Sequence, residues 1–175
     1  MRIVSLVLVG EVARLHLELL AQGLAPALGV ACSIQSDSLD VAFAFDPLRG
    51  QYHSTEILRR LVKLPAVETW RLLGVTEADL FIPVLTYVFG DAQLGPSSAA
   101  SALVSMHRLR QEFYGMPPCP ELLSERLLKE SLHELGHTVG LRHCPDYRCV
   151  MSPSHSVEAT DLKLAHFCPL CARAL

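Results

Sequence analysis

The chain has 175 residues, half of them hydrophobic and 19% charged, which excludes a disordered protein and leaves room for one domain with a core of its own. A net charge of −3 argues against nucleic acid or an anionic membrane surface as the main partner. No stretch approaches the roughly 20 unbroken apolar residues of a membrane span.

RIVSLVLVG, residues 2–10, is a continuous β-rich apolar run and predicts a strand covered on both faces. Read as a leader peptide, the run is cut short by Glu11 and Arg14 with no clean small-residue cleavage site behind it, so a cytoplasmic protein is expected. EVARLHLELLAQGLAPAL repeats apolar residues at Val12, Leu15, Leu19 and Leu20, predicting a helix that ends near Gly23 and Pro26. Strand then helix opens an α/β layer. VACSIQ and VAFAF predict a second strand and a short third, separated by the turn-prone QSDSLD. STEILRRLVKL begins with Ser-Thr as cap and carries Ile57, Leu58, Leu61 and Leu64 on one helical face. ADLFIPVLTYVFG is the strongest strand signal of the middle region, interrupted by Pro83, and DAQLGPSS reads as a loop. AASALVSMHRLR predicts another strand, whose small and polar residues suit a sheet edge. After the breaker GMPPCP, a long helix is expected over 121–139, its buried stripe formed by Leu128, Leu132, Leu135 and Val139.

That helix carries HELGHTVGLRHC, residues 133–144. His133 and His137, four apart, project from one face and can grip one ion. Glu134 is turned about 100° around the axis, close to the ion without being a ligand. Two neutral imidazoles on zinc and a carboxylate that accepts a proton from water is the logic of this pattern. Gly140 can end the helix in the left-handed conformation and bring His143 back as the third ligand, leaving one coordination position open. His16, His53, His107, His155 and His166 have no such spacing.

CPDYRC and FCPLC place Cys144, Cys149, Cys168 and Cys171 as two close pairs, suited to a closed tetrahedral zinc; two disulfides or free buried thiols are the alternatives. Cys32 and Cys119 stand apart. Residues 144–175 hold three positive and three negative side chains, unlike a nucleic-acid-binding zinc ribbon.

The extended histidine motif resembles the metzincin metallopeptidases. The order of the histidine motif with Cys144, then CVM, then C-x-x-C across residues 133–171 resembles the archaemetzincins in particular, and GQYHSTEILRRL, LGVTEADLFIPVLTYVFGDAQL and VSMHRLR extend the likeness upstream. The resemblance implies a catalytic zinc on His133, His137 and His143, with Glu134 as general base. It implies a second, structural zinc on Cys144, Cys149, Cys168 and Cys171, and Met151 as the methionine of a turn beneath the first site. It also implies a compact twisted mixed β-sheet with packed helices, one domain over 1–175 in which 1–118 builds the sheet and 119–175 carries the active-site helix, methionine turn and cysteine segment. By the same analogy, the substrate-binding sheet edge is placed around Ser101 to Ser105. Tyr147 does not stand where some metzincins place a zinc-side tyrosine. Arg142, Asp161 and Lys163 are polar residues near the metals that either support the ligands or face solvent. The function implied is peptide-bond hydrolysis, with peptide or protein as substrate; a monomer is favoured, and neither nucleic acid nor membrane is expected as partner. The alternative is a non-catalytic protein whose two metals hold a binding surface.

Overall fold

In the computed structural model, which describes residues 2–65, 68–95 and 100–175, strand β1 (Ile3–Val9) pairs in parallel with β2 (Ala31–Leu39) on one side and β5 (Arg71–Thr76) on the other. With both edges paired and both faces covered, β1 has no solvent-facing side to mark with polar residues, hence its unbroken apolar sequence. Between these strands come helix α1 (Arg14–Leu28), a 3-10 turn at Ala42–Ala44, strands β3 (Phe45–Asp46) and β4 (Gln51–His53), and helix α2 (Ser54–Leu61). After β5 come β6 (Leu80–Phe81), β7 (Gly90–Ala92), β8 (Ser101–Ser105), the long helix α3 (Pro120–Thr138), and the short helices α4 (Val157–Leu162) and α5 (Pro169–Ala172). The main sheet has the order β2-β1-β5-β8-β7, with only β7 antiparallel to its neighbour; β3, β4 and β6 form a small second sheet.

Alternation along the central strands divides the interior in two. Val4, Leu6, Leu73, Val75, Ala102 and Val104 face α1 and α3. Val7, Val9, Leu72 and Leu103 face α2 through Ile57, Leu58 and Leu61. The mixed α/β architecture expected from the sequence is therefore present.

Several elements depart from expectation. Helix α1 runs past Gly23 and Pro26 to a left-handed Gly29, and it buries Leu17, Leu20 and Leu24 while Leu15 is 60% and Leu19 42% exposed. Packing against β1, β2 and α3 buries this face, and on the α3 side Gly23 lies so close to Leu128 that an added Cβ would sit 2.9 Å from its methyl. β2 continues through the polar QSDS because it is the outer strand of the sheet, and a register shift after Leu6 and Ile34 absorbs the extra residues. VAFAF is a 3-10 turn running into the two-residue β3 instead of a strand of its own. RLLGVT, assigned to no element above, is the fully buried central strand β5. The long middle signal shrinks to the two-residue β6, whereas DAQL, expected as loop, begins inside β7. Most consequential, Ser101 to Ser105 is not the sheet edge. All five residues are buried and β8 lies between β5 and β7, so the edge beside α3 is β7.

Arg71, at the start of β5, fixes the end of α3. Its Nε donates to Thr138 Oγ1 at 3.0 Å and its Nη2 to the Thr138 carbonyl at 3.2 Å, setting a cation where the helix exposes its last carbonyls.

Candidate active site

Pro120 opens α3 at a position where its missing N–H costs nothing, and the helix delivers His133, Glu134 and His137 toward the edge strand β7. At its other end Gly140 takes φ +97, the Gly140 N–H donates to the His137 carbonyl (3.0 Å) and the Leu141 N–H to the Gly136 carbonyl (3.0 Å). This reversal is the one anticipated at Gly140. It also places the Leu141 carbonyl 2.8 Å from His137 Nδ1, while the Val150 carbonyl stands 2.9 Å from His133 Nδ1. A carbonyl only accepts, so each Nδ1 carries the proton and each neutral ring points a lone pair from Nε2.

Those two Nε2 atoms are 3.1 Å apart. Burial pushes the His133 pKa down to about 3 and lowers those of His137 and His143, so protons do not screen the two lone pairs at neutral pH. A divalent cation does so naturally: two nitrogens each about 2.0 Å from a tetrahedral zinc lie about 3.3 Å apart. His143 completes the group, the three ligand atoms lying within 4.8 Å of one another.

Glu134 is buried beside this cluster, and burial, with the nearby Glu130 and Asp91 carboxylates, raises its pKa well above the ordinary value. The side chain lies directly on the edge strand: a Cβ at Gly90 would stand 2.7 Å from Glu134 Oε1 and 2.8 Å from Cδ. Gly90 therefore keeps the place of the carboxylate free. Gly90→Ala is expected to displace Glu134 and lower kcat about 10²-fold or more, because positioning errors of an ångström cost that much, with zinc content unchanged; parallel kinetics and elemental analysis check it. Next to Gly90, Asp91 points to the other side and accepts from Ser54 Oγ (2.7 Å) and Thr55 Oγ1 (3.2 Å). These two hydroxyls, expected as a helix cap, instead tie the edge strand to α2, and His53 is the N-cap residue.

The histidines and Glu134 open onto a cleft of about 520 Å³ walled by Leu85, Tyr87, Phe89, Leu94 and Pro153. Tyr87 braces one wall, its hydroxyl donating to the His155 carbonyl at 2.9 Å.

Cys144, Cys149, Cys168 and Cys171 form the second cluster, again with ligand atoms within 4.8 Å. Cys144 and Cys168 Sγ are 3.8 Å apart and all four thiols are free, which sets the disulfide alternative aside. Thiolates about 2.3 Å from a tetrahedral zinc lie about 3.8 Å apart, so the donor set fits that ion. The Cys168 N–H donates to Cys149 Sγ at 3.3 Å, as it would to a metal-bound thiolate. The two clusters are joined by the peptide between His143 and Cys144, and by the Cys144 N–H donating to the Met151 carbonyl at 2.9 Å.

Met151 is fully buried and its thioether rests on α3 at Gly136, where a Cβ would collide with it. The glycine inside HELGH is thus the seat of the methionine.

A model of peptidase family M54 matches residues 32–175. The chain belongs to peptidase family M54. As a member of that family it is a zinc metallopeptidase. It is 47% identical over 133 residues to the archaemetzincin of Methanocaldococcus jannaschii, covering 76% of this chain and 70% of that one. With the archaemetzincin of Thermococcus kodakarensis it shares 46% identity over 147 residues, covering 80% and 74%. Among solved structures it is similar to the archaemetzincin of Archaeoglobus fulgidus complexed with malonate, with TM-score 0.83 and 35% identity over the whole of both chains. It is also similar to a zinc-dependent peptidase from Methanocorpusculum labreanum, with TM-score 0.85 and 28% identity over 98% of each. Among the described residues of this M54 chain, no helix is long and apolar enough to cross a membrane.

The residues expected around the M54 site fall into two groups. Tyr147 is 63% exposed and Arg142 is exposed, and neither lines the cleft. Asp161 pairs with Arg126 through both carboxylate oxygens, at 2.7 and 2.6 Å, docking α4 on α3. Lys163 is 2% exposed and sits against the equally buried Glu130. Burial works to raise the Glu130 pKa, but Lys163 and hydrogen bonds hold it below the ordinary value. Glu130, Gly90 and Gly136 were not picked out from sequence. Glu130 stood closest to detection, lying one turn before Glu134 on the same helix.

Proposed function

We propose that the chain hydrolyses peptide bonds at the histidine cluster, with His133, His137 and His143 holding a catalytic zinc and Glu134 acting as general base. The observation that carries this reading is three convergent imidazoles beside a buried carboxylate, on the floor of an open cleft. Bound zinc supplies Lewis acidity, polarising the scissile carbonyl and making water acidic enough to be deprotonated near neutral pH. Glu134, buried beside the imidazoles, takes the proton from the attacking water and hands it to the leaving amine. Substrate lies extended along the free side of β7, which replaces Ser101 to Ser105 in that role, and the apolar wall of Leu85, Phe89 and Leu94 meets its side chains. Cys144, Cys149, Cys168 and Cys171 hold a second, structural zinc, and residues 1–175 act as one metallopeptidase unit.

The rival reading, a non-catalytic metal scaffold, is disfavoured by the cleft: a structural zinc is closed by four protein ligands, whereas the histidine cluster offers three and faces open space. Elemental analysis of the parent and of His133→Ala/His137→Ala tests the assignment. Two zincs per parent chain falling to one in the variant are expected. A parent with one zinc, retained by the variant, would move the scaffold reading ahead.

A further inference from the structure

Glu130, one turn before His133 and Glu134 on α3, pairs with Lys163, and both side chains are nearly excluded from solvent. Burying two charges demands several partners each, and the partners chosen here are informative. Lys163 Nζ donates to Glu130 Oε1 at 3.0 Å, to the Ser152 carbonyl at 2.9 Å and to the Val150 carbonyl at 3.4 Å. Val150 and Ser152 flank Met151, so one ammonium grips the turn on both sides of the methionine. The Val150 carbonyl is also the acceptor for His133 Nδ1. On the other partner, Glu130 Oε1 receives Ser154 Oγ at 2.9 Å and Thr160 Oγ1 at 3.0 Å. The same oxygen therefore anchors the chain on both sides of the segment between the turn and Lys163. α4 brings Lys163 into place, docked on α3 by the Arg126–Asp161 ion pair and by Lys129 Nζ donating to the Asp161 carbonyl at 3.2 Å.

We infer that Glu130 and Lys163 are positioning residues that clamp the methionine turn against α3, seating Met151 on Gly136 and aiming His133 through the Val150 carbonyl. Neither belongs to the histidine ligand group. Their effect on turnover rests on the proposed catalytic reading; the clamp itself rests on the contacts of Lys163 and Glu130.

Lys163→Met alone would strand a buried carboxylate, so the decisive variant is Glu130→Gln/Lys163→Met, which removes the ammonium and keeps an oxygen for Ser154 and Thr160. In the zinc-loaded full chain, the amides of Val150 and Ser152, bonded to the His166 and Cys149 carbonyls, are expected to exchange at least about 10-fold faster than in the parent, with those of Leu132 and Leu135 unchanged. Chelator competition is expected to show the histidine site binding zinc about 10–100-fold more weakly, and kcat to fall by a similar factor with little change in KM. Unchanged exchange at Val150 and Ser152 together with parental zinc affinity would overturn the clamp. So would loss of protection throughout α3 or failure to fold, which would make the pair a prop of the whole fold. A parent that binds zinc at the histidines yet cleaves no peptide would sink the proposed function instead, leaving exchange and affinity to decide the clamp.

Discussion

Glu134→Gln is expected to keep the parent's zinc content and fold while kcat falls about 10²–10⁴-fold, the range a positioned general base contributes. The substitution preserves shape against Gly90 and leaves His133, His137 and His143 untouched, so only the ability to accept a proton is lost. It also relieves a cost of folding, because the Glu134 carboxyl is buried with the Glu130 and Asp91 carboxylates nearby. The variant should therefore melt no lower than the parent. Single-turnover kinetics on a peptide found to be cleaved by the parent, alongside zinc analysis and a melting curve, would check all three expectations. Parental turnover in the glutamine variant would remove Glu134 from the mechanism.

Cys149→Ser tests the second cluster and its coupling to the first. Cys149 is 1% exposed, and its sulfur both belongs to the four-thiol group and accepts the Cys168 N–H. Loss of a structural metal stands among the few mechanisms that cost about 4 kcal/mol or more. For a chain of this size that lowers Tm by about 8–16 °C. The damage should not stop at the cysteines. His143 is bonded to Cys144, and the Cys144 N–H holds the Met151 carbonyl, so a loosened cysteine cluster frees both the third histidine and the methionine turn. On the two-zinc reading proposed above, zinc is expected to fall from two per chain to fewer than one, with activity lost in step. A variant retaining one zinc and parental turnover would show that the two clusters work independently.

The gap between sequence and structure follows the range of the interactions involved. Glu134 and the spacing of His133, His137 and His143 could be read directly, because a helix of fixed period and one left-handed glycine place them almost without outside help. The same holds for the four cysteines, whose pairing in sequence limits where their sulfurs can meet. Likewise β1 is plain from its apolar run, which reflects cover on both faces, whereas the strands that flank it on either edge are not. The face of α1 departs from expectation at Leu15 and Leu19, which satisfy a helical period as well as Leu17, Leu20 and Leu24 do, and only packing against β1, β2 and α3 selects between them.

What the sequence determined by itself is the donor set: the residue types and the local spacing that let them converge. Tertiary structure decided which strand is the edge, that Gly90 makes room for Glu134, that Gly136 seats Met151, and that Lys163 is a buried partner of Glu130 instead of a surface charge. The physical reason is separation along the chain. Glu134 and Gly90, or Lys163 and Glu130, meet only after the sheet and α3 have packed, and nothing in their local spacing reports a contact made across 30 or more residues.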